Sequence, residues 1–521
     1  MLLKTTSNIR QELYINALIN RADIYHLIGS EAMAMEDYEA VLSITRDVDN
    51  QVNTLIMLSD ISIKQGNVTD SLAFTEKIAA IVQGSKDPFL KGKAILAKAH
   101  VMRYRGEFRD AMKLMKSALA YYQRAEQNPR KSMKEFRAIG KSIARCNHNL
   151  GIVYYGLGDY DLALEYFSKS VKVMSGLSNK IGELQSLNNI GLVLWRKGKL
   201  KEAEKAFHKA LEMSVKMGHK SGIAFITGNL GLVLNDRGMY SDGLDYLQQA
   251  VRSAKEIGDR SLTGTHLNNM GNSYEALLDY RTAMECYTQS LKIFQEIGFL
   301  HGTAMLLNNV GTVYCVWAQL SKALSYATEA EKVAESENLT EVMVRCYSNK
   351  GKILAYMKKH RVGEQALMKA YRLAEKQEMT GLLIEIMVEY IHAACIGFLD
   401  NKIDIYHLCA DFIKNLENQL VETELSFMKK CFIRLIIMRY RLLVSTGVSV
   451  QLFRKGLKKM SGKIDNERIL IEYAIACALM NLRCDLDYGI HLKHAEELSH
   501  KIGSKILIKE IIDMRSFAQR R

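Results

Sequence analysis

Proline is almost missing from this chain: Pro88 and Pro129 are the only two in 521 residues. Because proline breaks helices and marks stiff linkers, its scarcity leaves room for long, uninterrupted helical stretches and excludes proline-rich connectors. The nine cysteines are scattered singly with no CxxC pair, which excludes a disulfide framework or a cysteine-based zinc module and fits a reducing compartment. Long hydrophobic runs are also absent. No stretch reaches 18 uncharged apolar residues, and the nearest, Cys431 to Val444, carries Arg434, Arg439 and Arg441. No membrane span is expected. The opening MLLKTTSNIRQEL has no apolar core of a signal peptide, so the expected location is cytoplasmic.

Signatures of catalysis are lacking too. There is no GxxxxGK[ST] phosphate loop and no HExxH, and the glycines do not fall into a GxGxxG. His491, His494 and His500 share one C-terminal segment without a cysteine or a suitably spaced carboxylate. No metal site, no cofactor and no enzymatic activity are expected. The net charge of +14 is spread along the chain, richer at 100–145 and 429–459. It comes without an Arg/Gly tail, a basic heptad region or a helix-turn-helix, so a solvated basic surface is expected rather than nucleic-acid binding.

What the chain has in abundance is Leu, Ala, Lys and Glu, and a repeat. HNLGIVYYGLGDYDLALEYF, from His148, aligns with NNIGLVLWRKGKLKEAEKAF, from Asn188, and GNLGLVLNDRGMYSDGLDYL, from Gly228. Three more units follow from Asn268, Asn308 and Ser348, so the period is 40 without an insertion. Gly151, Gly191, Gly231, Gly271, Gly311 and Gly351 fall inside the first helix of each unit. A glycine there costs about 1 kcal/mol against alanine, so close approach of the paired helix must offset it. The small residues Ala163, Ala203, Gly243, Ala283, Ala323 and Gly363 are the expected partners. Gly158, Gly198 and Gly238 suit the left-handed end of the first helix; Ser178, Gly218, Gly258, Gly298 and Asn338 mark the end of the second.

The same marks phase three weaker units upstream: Tyr25, Gly29, Ala34 and Tyr38; Ser59, Gly66 and Leu72; and Ala99, Gly106, Phe108, Ala111 and Ala118. Between the third of these and the regular block the spacing stretches from 40 to 52 around Pro129. The expected organisation is therefore residues 1–125 as about three degenerate units, 126–140 as an extended connection and a joint, 141–380 as six regular units, and 381–521 as degenerate helical repeats with a cap.

This pattern of Gly, aromatic or Leu, Gly, Ala, aromatic and Ala resembles the tetratricopeptide repeat. The 40-residue unit is similar to that of the Pins/LGN polarity adaptors, the bacterial Rap-type regulators, and the repeat halves of bacterial signalling ATPases, cyclases and kinases. The resemblance implies an all-α, right-handed superhelix of helix pairs, a tetratricopeptide solenoid whose first helices line a concave groove.

One asparagine per unit, Asn149, Asn189, Asn229, Asn269, Asn309 and Asn349, stands at 40-residue spacing. The resemblance places these side chains in the groove, where an amide offers a donor and an acceptor to a peptide main chain; the alternative is that they only bridge adjacent helices. On the same implied face lie Arg145, His148, Tyr155, Trp195, Arg196, Asn272, Glu275, Arg345 and Lys352. Trp195 beside Arg196 has the composition of a binding hot spot. The ends of the block read as cationic and its middle as neutral or slightly acidic. The function expected is a non-catalytic scaffold or adaptor taking a partner peptide or helix in the groove. The alternatives are the regulatory module of a signalling kinase, cyclase or ATPase, and a transcription-associated regulator using the basic stretches. The oligomeric state is not legible.

Overall fold

The computed structural model describes residues 2–520 except 28, 29, 66, 106, 129–131, 378, 401–403, 405, 423–426, 445–468, 470, 471, 478 and 480–487. The marks Gly29, Gly66 and Gly106, together with Pro129 and the basic residues at 445–459, lie outside the described residues. Among the described residues the chain is all-α, with no strand. It divides into two compact units, Met1–Met217 and Gly218–Arg521.

The first unit runs α1 (Leu2–Leu27), α2 (Glu31–Ile44), α3 (Val48–Lys64), α4 (Val68–Val82), α5 (Pro88–Tyr104), α6 (Phe108–Glu126), α7 (Met133–Gly156), α8 (Tyr160–Gly176), α9 (Lys180–Arg196) and α10 (Leu200–Lys216). Each helix packs on the one before it, so the unit is a row of helix pairs. The interval expected as an extended connection is mostly helix: α7 is 24 residues long. Ser132 and Glu135 close a reciprocal capping box, which satisfies free N–H groups and starts the helix early. The added length buries Ile139 and lays Gly140 against Leu177. The division into two compact units falls after Met217.

The second unit runs α11 (Lys220–Asp236), α12 (Tyr240–Glu256), α13 (Arg260–Ala276), α14 (Tyr280–Glu296), α15 (Leu300–Val316), α16 (Leu320–Ser336), α17 (Thr340–Tyr356), α18 (His360–Lys376), α19 (Thr380–Leu399), α20 (Cys409–Glu422), α21 (Phe427–Val444), α22 (Gly489–Lys501) and α23 (Lys505–Arg520). Residues 472–477 are also helical. The most membrane-like segment by length and composition is Gly381–Leu399 rather than Cys431–Val444; most of it is buried within the fold, and it carries Glu385 and Glu389.

The period of 40 has a simple geometric origin. Each helix from α8 to α18 has 17 residues, and three-residue turns join them. At the turn that leads from α7 into α8, Gly158 takes φ 78°, its N–H reaches the Tyr155 carbonyl at 3.1 Å, and the Asp159 N–H reaches the Tyr154 carbonyl at 2.9 Å. This is a Schellman ending, and the Asp159 side chain then caps α8 by accepting from the Leu162 N–H at 3.2 Å. Every twentieth residue from 158 to 358 repeats the left-handed conformation, including Leu278, Ala318 and Lys358, where no glycine is present.

The mid-helix glycines make room for something larger than the small residues expected opposite them. A methyl group on Gly151 would lie 2.8 Å from the Phe167 ring, and one on Gly191 2.6 Å from Phe207. Leu247, Tyr287 and Leu367 fill the same place against Gly231, Gly271 and Gly351. These side chains are buried, so each glycine admits an apolar knob from its partner helix. The small residues do contribute where Gly243 and Gly363 let backbones meet: their carbonyl oxygens lie 2.9 Å from the methyl positions of Gly231 and Gly351.

Candidate functional site

The repeat phase puts the candidate residues on the first helix of each pair. In the first unit α5, α7 and α9 pack directly on one another, and their polar residues form a connected row. The Asn149 amide donates to the His100 Nε2 at 2.6 Å. That bond makes Nε2 an acceptor and puts the His100 ring proton on Nδ1, which faces Asp60 at 3.8 Å. One repeat on, the Asn189 amide donates to His148 Nε2 at 3.3 Å. His148 Nδ1 donates to the Ser186 hydroxyl at 2.9 Å, and Ser186 to the Ser170 hydroxyl at 3.0 Å. Both histidines are held neutral. Burial lowers His100, with the Asp60 carboxylate opposing and Arg145 adding to the shift. Burial and Arg103 bring His148 down to about 4.

Three arginines border this row. Arg145 is exposed and makes no ion pair among the described residues. Arg103 is partly buried; its Nε finds no hydrogen-bond partner, and burial lowers its guanidinium pKa, with Asp60 opposing. Arg196 is exposed on α9; its Nε donates to the Tyr155 hydroxyl at 3.0 Å, and its guanidinium lies 5.6 Å from the Trp195 ring. Trp195 itself is half-buried. The structure thus brings Arg145, Asn149, Asn189, Tyr155, Trp195 and Arg196 onto consecutive first helices. Sequence reasoning missed Asp60, His100 and Arg103. The signal was there: with the 52-residue offset, His100 and Arg103 fall in phase with Ile152 and Tyr155.

In the second unit the ladder also bridges neighbouring helices. The Asn309 amide donates to the Asn268 side-chain carbonyl at 3.1 Å, and Asn349 to that of Asn308 at 3.2 Å. Asn229 and Asn269 are half-buried. The cations expected at this end are neutralised. Arg345 reaches Glu341 at 3.2 Å and Glu385 at 3.4 Å, and Lys352 reaches Glu389 at 2.8 Å. Glu275 accepts from the Tyr287 hydroxyl at 2.7 Å, and burial raises its pKa although that bond opposes the rise.

The far end of the second unit is covered by its own chain. α23 packs on α15 and α19, and Phe517 meets Phe398 edge-on at 5.6 Å. His392, in phase with the groove position of Lys352, is buried beside Glu510 of α23 at 3.5 Å. Glu510 in turn pairs with Arg439 of α21, which also reaches Glu472 at 3.2 Å; Arg439 and Glu472 are fully buried. Among the described residues no group of His, Cys, Asp and Glu is arranged to hold a metal ion, and the eight described cysteines are buried free thiols.

Comparison with known proteins names the repeat. Tetratricopeptide-repeat family models match residues 15–48, 142–214 and 222–296. No curated protein sequence matches the chain. Among solved structures, the fold is similar to the apo form of the quorum sensor NprR from B. thuringiensis, at 11% identity and TM-score 0.53, covering 71% of this chain and 99% of that one. It is also similar to a Signal Transduction ATPase with Numerous Domains protein with a tetratricopeptide repeat sensor from Pyrococcus horikoshii, at 17% identity and TM-score 0.51, covering 72% of this chain. The present chain spans 55% of that protein's length. A Rap protein complexed with Competence and Sporulation Factor matches at 14% identity and TM-score 0.50, covering 71% of this chain and 98% of the other. The matched segments carry tetratricopeptide repeats, and the fold of the chain is similar to that of the NprR, Rap and tetratricopeptide-sensor structures.

Proposed function

We propose that this protein is a non-catalytic, cytoplasmic scaffold or adaptor that binds a segment of a partner protein along the first helices of its repeats. The observation that supports this reading is the row on α5, α7 and α9, where amides, two exposed arginines and a half-buried tryptophan stand on consecutive first helices. The ladder amides of the first unit donate to histidines of the preceding first helix, and an amide carries both a donor and an acceptor with which to meet a partner main chain. The Rap neighbour, solved with Competence and Sporulation Factor bound, supports ligand binding by this fold. The signalling-ATPase neighbour favours a second reading within the same class: a regulatory module acting on a signalling partner.

Trp195→Ala is the discriminating substitution. Because the indole is only half-buried, helicity and melting should change little, while partner affinity falls by about 2 kcal/mol or more, roughly thirtyfold. Affinity capture with wild type and variant, followed by calorimetry on the partner recovered, measures this. Retention of the partner at full affinity would sink the assignment. Asn189→Ala is a poorer probe, since it also removes the bond to His148.

A further inference from the structure

The lengthened α7 outruns its neighbours in the first unit. A regular first helix such as α9 begins at Lys180, and the same phase 40 residues earlier falls at Gly140, whereas α7 begins at Met133. At 1.5 Å per residue the extra residues carry α7 about 10 Å past the edge of the row where second helices turn into first helices. Its apolar face runs on into this overhang. Phe136 stands three and four residues before the buried Ile139 and Gly140, and Met133 stands three before Phe136, so both continue the packing face past the point where packing ends. Met133 is 71% exposed and Phe136 44%. Alongside them Lys134, Arg137 and Lys141 form a second stripe, and Arg124 stands in the last turn of α6. All four cations are exposed and make no ion pair among the described residues. Two carboxylates stand near them: exposed Glu126, and Glu135, which accepts from the Ser132 N–H and hydroxyl at 2.8 Å.

We propose that this tip is a peripheral membrane contact. Met133 and Phe136 enter the interfacial layer of an anionic bilayer, while Arg124, Lys134, Arg137 and Lys141 meet its acidic headgroups. The charge selects the surface: each cation held against an anionic leaflet contributes about fivefold in affinity. The apolar pair adds the part of the binding that salt does not screen. The helix end suits a layer poor in water, because its capping box already satisfies N–H groups that would otherwise be left unpaired there. A protein partner fits less well. A stable interface takes about 800 Å² from each side, matched in shape, and a convex helix end offers two apolar side chains and no groove. A nucleic acid would engage the cations but has no apolar layer to receive Met133. Asn149 lies about 24 Å along α7 from Met133, so this contact leaves the ladder of the first unit open and does not depend on the scaffold reading.

Co-sedimentation of the full chain with vesicles tests this, using phosphatidylcholine alone and equal parts of phosphatidylcholine and phosphatidylserine. The expected result is binding to the mixed vesicles, weakened by added salt, and little binding to phosphatidylcholine alone. Lys134→Gln, Arg137→Gln, Lys141→Gln together should lower the partition coefficient about a hundredfold, and Met133→Ser, Phe136→Ser at least tenfold. These side chains are exposed or half-exposed, so both variants should melt as the wild type does; Met133→Ser alone, at the more exposed position, should still bind measurably less. Depth is read from Phe136→Trp, whose added fluorescence should shift to the blue on mixed vesicles and be quenched by brominated acyl chains. Absence of binding to the mixed vesicles would overturn the proposal, as would binding that both multiple variants keep in full. Tighter binding to polyglutamate than to the vesicles, lost in the Gln variant, would replace it with an acidic protein partner. A dimer in solution that Met133→Ser, Phe136→Ser dissociates would replace it with contact between copies of this chain.

Discussion

Replacing Arg439 with methionine should destabilise the second unit by about 3–5 kcal/mol, because it strips two buried carboxylates of their cation at once. Arg439 and Glu472 are fully buried and Glu510 nearly so. The side chains come from α21, from helical residues 472–477 and from α23, so the loss should be felt along the whole C-terminal face. Amide exchange in α21 and α23 measures it residue by residue, and unchanged protection there would refute the role given to Arg439. Converting Glu472 and Glu510 to leucine in the Arg439→Met background should recover most of the loss, since an apolar replacement of all three leaves no orphaned charge.

The same cluster carries a pH dependence. Lys352 and Arg439 are two cations set among Glu389, Glu472 and Glu510, so a protonated His392 balances the group. His392 is surrounded by Glu389 on its own helix, Glu510 of α23, Arg439 of α21 and the ring of Tyr356 of α17. Burial alone would lower its pKa; Glu510 and Glu389 more than offset that, with Arg439 opposing, and the net shift is upward from 6.5. A raised folded-state pKa gives stability that is complete below the unfolded value and is lost as pH climbs through the folded one. The second unit should therefore be more stable near pH 6 than near pH 9, and His392→Phe should flatten that slope.

The second large effect concerns two glycines that look equivalent in sequence. Gly271→Ala should cost about 1–3 kcal/mol, the range for overpacking a well-filled core. The added methyl would press on the buried Tyr287 ring, whose hydroxyl is tied to Asn272 at 2.8 Å and Glu275 at 2.7 Å and cannot swing away without breaking those bonds. Gly311→Ala should cost little or be stabilising by up to about 1 kcal/mol, the gain in helix propensity. There the residue opposite is Ala327, and the nearest atom to the new methyl is the Ala323 carbonyl oxygen at 3.2 Å. Exchange protection in the α13–α14 and α15–α16 pairs, compared under one denaturant, separates the two cases. Equal losses at both sites would show that the glycines answer to something other than the knob opposite. A local measure is needed because a repeat array does not have to unfold as a single step.

How much of this was legible follows from what repeats. The helix pairs of the regular block, their turns and the ladder were readable because each recurs at one spacing, so noise at a single unit is outvoted by the others. In the sequence Ala327 stands in register with Phe167, Phe207, Leu247, Tyr287 and Leu367, but its small size does not by itself reveal the looser packing at Gly311. The left-handed turns at Leu278, Ala318 and Lys358 escaped because no glycine announces them; the hydrogen-bonding geometry of the neighbouring turns imposes the conformation. The tight pairing of Asn149 with His100 spans 49 residues and is hidden by the lengthened α7. The Arg439 cluster was invisible for a different reason. Its partners lie 33 and 71 residues away, in segments with no period, and nothing in a lone buried arginine names the carboxylate that meets it.

That last separation also sets an order of events during synthesis. Each regular helix pair of the first unit can pack as soon as the next pair has left the ribosome, since its contacts are local in sequence. The second unit cannot do the same at its far end. Cys395, Arg439 and Tyr356 acquire their final surroundings only when Glu510 and its helix arrive, more than a hundred residues after the first of them was made. Until then a charged side chain and an apolar face stand open together, the kind of transient surface at which partly folded chains misassemble.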